Sequence, residues 1–149
     1  MKGEEMVKCK VESKKKKRKP KSDRTKKAEE LWEVIKTYIR MRDKNICQKS
    51  GDYVEGVNCH VSHVIPKSHG NALRYDEINL KVLSYHNHIN WWHKNPTESG
   101  EWFKKKFPER YKYLEENKNK IVKLRISDLQ DLIEEYTDKI IGLEMQEEL

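Results

Sequence analysis

Apolar positions in residues 25–44 recur at helical spacing: Leu31, Trp32, Ile35, Tyr38 and Ile39. The spacing predicts a helix with that face on a core and with Lys36, Arg40 and Arg42 turned outward. A polar stretch with glycines, CQKSGDYVEG, follows as a loop. Residues 57–65 predict a strand stopped by Pro66, since proline cannot donate to a sheet ladder. PKSHGNALRYDEI is then a long polar loop, a usual place for function in a compact domain. NLKVLS predicts a second short strand. YHNHINWWHK predicts a helix that ends before Pro96.

The rest of the chain carries helical signals. Thr97 or Ser99 is placed to start a helix through Trp102, Phe103 and Phe107. Pro108 suits the first turn of the next helix, which buries Tyr111 and Leu114. Ser127 and Gln130 have the spacing of a capping box. Behind them Leu129, Leu132, Ile133, Tyr136, Ile140 and Leu143 form one apolar stripe, destined for the domain or for a second copy of the chain. No internal repeat is present. The fold class expected is α+β.

Charge divides the chain into three parts. Residues 1–27 carry 13 Lys and Arg against 4 Asp and Glu, a balance of +9. Residues 127–149 carry 1 against 8, a balance of −7, and the whole chain is +7. Residues 1–24, with the run KKKKRKP, have no apolar periodicity to oppose their repulsion, so a disordered basic arm is expected. A domain over 25–126 and an acidic amphipathic helix over 127–149 complete the organisation. A basic arm on a mildly basic body suits a polyanion such as nucleic acid. No apolar run is long enough to span a membrane, and the lysine-rich start lacks a signal-peptide core, so a cytoplasmic protein without a membrane partner is expected. Three cysteines, Cys9, Cys47 and Cys59, with no close pair argue against a disulfide scaffold.

All six histidines, His60, His63, His69, His86, His88 and His93, fall between residues 60 and 93. Neutral imidazole can activate water near physiological pH, and it is also a common metal ligand. The order strand, loop, strand, helix, with His63 on the first strand, Asn79 opening the second and His88 on the helix, resembles the ββα-metal core of the HNH nucleases. In finer detail YIRMRDKNICQKSG and HVSHVIPKSHGNALRYDEINLKVLSYHNH are similar to the phage NinG (Rap) recombination nucleases, over residues 35–95.

That resemblance implies a metal-dependent DNA endonuclease acting in phage or prophage recombination on branched or junction DNA. It implies His63 as general base, Asn79 as a brace for the loop and the base, and His88 as a ligand for one divalent ion, magnesium or manganese. His60 is a second candidate ligand, although a position three residues from His63 faces the other side of an ideal strand and would need a bulge to join it. Arg74 stands at the family's phosphate-binding position, and Lys67, His69 and Lys94 are further candidate DNA contacts. Two departures stand out. The family's zinc-binding cysteine pairs appear here as Cys47-x-x-Ser50 and Ser84-x-x-Asn87, so a four-sulfur zinc site is not expected. Hydrogen bonds among Ser50, Ser84 and Asn87, with Trp91 and Trp92 packed beside them, would hold the loop ends instead. Also, Ser62 precedes the base where many HNH enzymes place a ligand. These departures leave a second reading open, a catalytically decayed HNH-fold module that binds nucleic acid without cutting it. A third is an interaction protein that dimerises through its acidic C-terminal helix.

Overall fold

The structure, a computed structural model, describes residues 17–149. Most of the expected basic arm therefore lies outside the described residues. Residues 17–22 are exposed and carry no secondary structure. The first helix starts at Asp23, inside the span 1–24 expected for the arm, because the Ser22 hydroxyl accepts the Thr25 N–H at 3.2 Å.

Helix α1 (Asp23–Arg42) buries Leu31, Ile35 and Ile39, one residue per turn on one stripe. Its end departs from expectation. Arg42 does not face solvent; its guanidinium donates to the carbonyls of Glu77 at 2.7 Å and Leu80 at 2.6 Å and pairs with Asp43 at 2.9 Å. Arg40 also turns inward, to the Cys59 carbonyl at 3.3 Å. The chain then reverses through Lys44 and Asn45, both in the left-handed region at φ 56° and 54°.

The two strands are β1 (Cys59–His63) and β2 (Leu80–Ser84), paired antiparallel from Cys59 opposite Ser84 to His63 opposite Leu80. The strand expected over 57–65 is shorter at both ends. A tight turn over Gly56–Asn58 takes its start, leaving Val57 on the surface. At its end the Ile65 N–H bonds the Asn79 side chain instead of a strand partner. Leu80, Lys81, Val82 and Leu83 are all buried. Continuous burial arises because the hairpin is covered on both faces, by α1 and by the elements after β2.

After β2, Tyr85 and His86 begin a helical turn that widens into a π-helix over Asn87–Trp92. An α-helix was expected here. Next come α2 (Pro96–Lys106) and α3 (Pro108–Asn117), each with proline in its first turn. Helix α4 (Ile126–Glu147) packs along α1 through Leu129, Ile133 and Tyr136. Ser127 and Gln130 do not cap it. The Asp128 carboxylate accepts the Arg125 N–H at 2.7 Å and takes that place. The class is α+β: a small two-stranded antiparallel sheet among helices. No helix of the described residues is long and apolar enough to cross a membrane.

Candidate functional site: a histidine cleft

The long loop between β1 and β2 is pinned before it reaches the site. Asn79 is fully buried, and its side chain forms three bonds to main chain. Oδ1 accepts from the Ile65 N–H at 2.7 Å, and Nδ2 donates to the carbonyls of Ile65 and Leu73, both at 3.1 Å. Further along, Asn71 exchanges two bonds with Val122, at 2.6 and 2.7 Å. Gly70 approaches the segment after α3 so closely that a Cβ would stand 2.7 Å from the Lys120 carbonyl oxygen. From the other side Arg42 and Arg110 grip the carbonyls of Glu77, Ile78 and Leu80.

This pinned loop presents the Arg74 carbonyl to His63. The imidazole Nε2 lies 3.0 Å from that oxygen. A carbonyl only accepts, so Nε2 carries the proton and Nδ1 keeps a free lone pair. The ring is stacked on Trp32, with centroids 5.2 Å apart and planes 15° from parallel. Burial pushes the His63 pKa down to about 4; the carbonyl bond opposes this, while Lys67, Lys81 and Arg74 add to it. At neutral pH the ring is therefore an uncharged base. Asn79 does not touch it. The asparagine acts one step removed, by holding the loop that carries the Arg74 carbonyl.

A second group of rings stands nearby. His60 Nδ1 lies 2.8 Å from His88 Nδ1, and His88 Nε2 lies 3.0 Å from His93 Nε2. His60 donates its other nitrogen to the Val57 carbonyl at 2.9 Å, which leaves Nδ1 with its lone pair toward His88. The π-helix explains His93. Five residues of α-helix would turn it about 140° away from His88. The wider turn, closed by the His93 N–H to the His88 carbonyl at 3.2 Å, returns it to the same face. Burial lowers the His88 pKa to about 4, helped by the neighbouring His93, His60, Lys81 and His63. No bulge interrupts β1, and His60 and His63 do not meet on one point. His88 is the link between them, since it contacts His60 and also lines a cleft of about 730 Å³ together with His63 and His93.

Two nitrogens at the His60–His88 separation suit neighbouring ligands of one ion, because metal–nitrogen bonds of about 2.1 Å place adjacent octahedral ligands about 3 Å apart. The donor set is imidazole alone. That chemistry suits a borderline transition ion better than magnesium, which prefers oxygen. Among the described residues no group of three or more His, Cys, Asp and Glu side chains is arranged as a metal cluster.

Arg74 is exposed, and the acids beside it are engaged elsewhere: Asp76 accepts from the Tyr113 hydroxyl at 2.6 Å, and Glu77 pairs with Lys139 at 3.3 Å. Lys67 borders the His63 cleft. His69 and Lys94 are exposed and line neither that cleft nor the cavity beside it. Sequence reasoning undervalued His93, whose contact needs a π-turn that no spacing rule announces. It also assigned Arg74 through its guanidinium and missed the role of its main-chain oxygen.

The positions that the resemblance assigns to zinc ligands come together at the base of the hairpin. Asn87 donates from Nδ2 to Cys47 Sγ at 3.4 Å and from its N–H to Ser84 Oγ at 3.2 Å. Burial pushes the Cys47 thiol up, but hydrogen bonds from the Ser50 hydroxyl and from the N–H groups of Ser50, Ser84 and Lys49 outweigh it and bring the pKa down to about 7. Comparison with family models, curated proteins and solved structures returns no match to this chain. The likeness to NinG nucleases accordingly rests on the motif residues themselves.

Proposed function

We propose that this chain is a metal-dependent DNA endonuclease of the HNH type, with a ββα-metal core formed by β1, β2 and the turn after them. The observation that carries the reading is that His63, with its proton fixed on Nε2, shares one cleft with His88. His63 Nδ1 takes a proton from water as the water oxygen attacks phosphorus. The Arg74 carbonyl stabilises the imidazolium that forms, since its bond to Nε2–H strengthens with positive charge. The Arg74 guanidinium and Lys67 hold the phosphate oxygens. His60 and His88 would hold the ion, which supplies positive charge to the phosphate and the departing oxygen. His93 then orients His88 from its far nitrogen, the usual duty of a group behind a metal ligand. The NinG likeness adds phage or prophage recombination and branched DNA to this reading.

One observation favours the alternative, a decayed module that binds DNA without cutting. His60, His88 and His93 occupy one another's ring nitrogens, and no carboxylate of the described residues joins them. Plasmid nicking with magnesium, manganese, nickel and zinc separates the two. Cleavage that falls by about 100-fold or more in His63→Ala, with DNA affinity kept, supports catalysis. Binding without cleavage in every metal supports the module.

A further inference from the structure

Two cavities meet at the His63 ring, and they differ in chemistry. The larger, about 730 Å³, is walled by Trp32, Val61, Ile65, Trp92, Phe103 and Tyr111. The smaller, about 410 Å³, is bordered by Arg24, Lys67 and Arg74. Trp32, His63 and Lys67 belong to both and form the ridge between them. Among the described residues each cavity has one carboxylate, and each carboxylate is already paired: Glu115 with Lys118 at 2.8 Å, Glu29 with Lys21 at 2.7 Å. Cations also stand against the aromatic walls, Lys67 Nζ at 5.6 Å from the Trp32 ring and Lys104 Nζ at 5.5 Å from Tyr111. An apolar aromatic slot beside a cationic hollow matches a nucleotide with its base free, flat ring on one side and phosphate on the other. A base held inside a duplex is stacked and paired and offers no such face.

We propose that this site takes unpaired DNA, with the backbone crossing His63 on the side of Arg24, Lys67 and Arg74 and one base entering the aromatic cleft that Trp32 lines. The inference deepens the nuclease reading and rests on it for the choice of DNA. Its chemistry separates affinity into two parts. The phosphate side binds any polyanion, weakens with salt and ignores the base. The aromatic side rewards a base of any sequence and is indifferent to salt.

The test is fluorescence-anisotropy binding without added metal, so that no cleavage occurs. Three probes are compared: a thymidine oligomer of about eight nucleotides, within the site sizes of single-strand binders, an abasic deoxyribose-phosphate strand of equal length, and a duplex of that length. The thymidine strand is expected to bind tightest and to quench tryptophan fluorescence. Trp32→Leu lowers its affinity by about tenfold and leaves the abasic strand unchanged, as expected for loss of one stacked base. Trp32→Phe, which keeps an aromatic face and guards against a folding defect, retains most of the affinity. Arg74→Ala weakens thymidine and abasic strands alike. An abasic strand or a duplex that binds as tightly as the thymidine strand overturns the inference. Protein that prefers the thymidine strand yet never nicks DNA removes the nuclease and leaves this site standing; protein that cuts duplex plasmid with no base preference does the reverse.

Discussion

Asn79→Ala should cost the fold about 4–6 kcal/mol and disarm His63 without touching it. The side chain is fully buried and makes three main-chain bonds, to the Ile65 N–H, the Ile65 carbonyl and the Leu73 carbonyl. A net hydrogen bond contributes about 1 kcal/mol, and a buried donor left without a partner adds about 1–3 kcal/mol more. The Ile65 N–H is that donor. The loop from Pro66 onward, with one anchor gone, then relies on Asn71 and on the contact at Gly70. The Arg74 carbonyl should drift from His63, water should enter, and the ring should titrate nearer its ordinary 6.5 than the present value of about 4. Urea denaturation measures the first effect and NMR titration of the histidine carbons the second. A loss below about 1 kcal/mol, or an unmoved His63 titration in the folded variant, would refute the positioning role given to Asn79.

Acid should weaken the fold through the same imidazole. The folded pKa of His63 lies below the unfolded value, so between about pH 6.5 and 4 the unfolded chain binds the extra proton; stability is complete at neutral pH and falls as the pH drops through that window. The shift corresponds to about 3 kcal/mol at most, reduced to about 2 because the ring is partly solvated, and denaturation at several pH values reads it in wild type against His63→Gln. Lys81→Met should stabilise the protein by about 1–3 kcal/mol. Lys81 is fully buried with its pKa held well below the usual lysine range by that burial, and its nearest polar partner is the Ser62 hydroxyl at 3.3 Å. The Nζ lies 3.3 Å from the Trp92 ring centroid, so the methionine stem keeps most of the packing. A variant less stable than wild type by more than about 1 kcal/mol would show that the amine–indole contact outweighs the desolvation.

The helices that pack by one apolar stripe were legible from spacing alone. Leu31, Ile35 and Ile39 on α1 and Leu129, Ile133 and Tyr136 on α4 are buried where the 3.6-residue period puts them. The limits of β1 were not legible, because Val57 and Ile65 have strand-forming side chains and are removed, the first by a local turn starting at Gly56 and the second by the distant amide of Asn79. Arg40 and Arg42 looked like solvent positions on a helical wheel. They turn inward onto main-chain carbonyls within reach of a long cation, Cys59 in β1, Glu77 in the turn before β2 and Leu80 at the start of β2. The histidines drew attention to the right segment, but their geometry depends on a π-turn and on the carbonyl of residue 74, and neither is a property of a side-chain pattern.

The group around Cys47 holds the turn after α1 by donors gathered on one sulfur. A four-sulfur zinc site places a cation at the centre of four anionic ligands. The NinG likeness would put such a site at Cys47, Ser50, Ser84 and Asn87, and Cys47 is the one sulfur of the four and is fully buried. The neighbours now supply N–H and O–H donors aimed at that sulfur, and the thiol is drawn toward its charged form despite burial. The attraction here is between one sulfur and several dipoles, where a zinc site would rest on one cation and several anions. These bonds tie the turn after α1 to the end of β2. That tie matters for the site above it: the Gln48 N–H bonds the Val82 carbonyl at 3.0 Å, and the Asp43 carboxylate accepts the Val82 N–H at 2.9 Å. The strand that carries Asn79 at its head and leads into His88 at its foot is thus fixed at mid-length by the same turn, so a loosened Cys47 would be felt at both ends of the cleft.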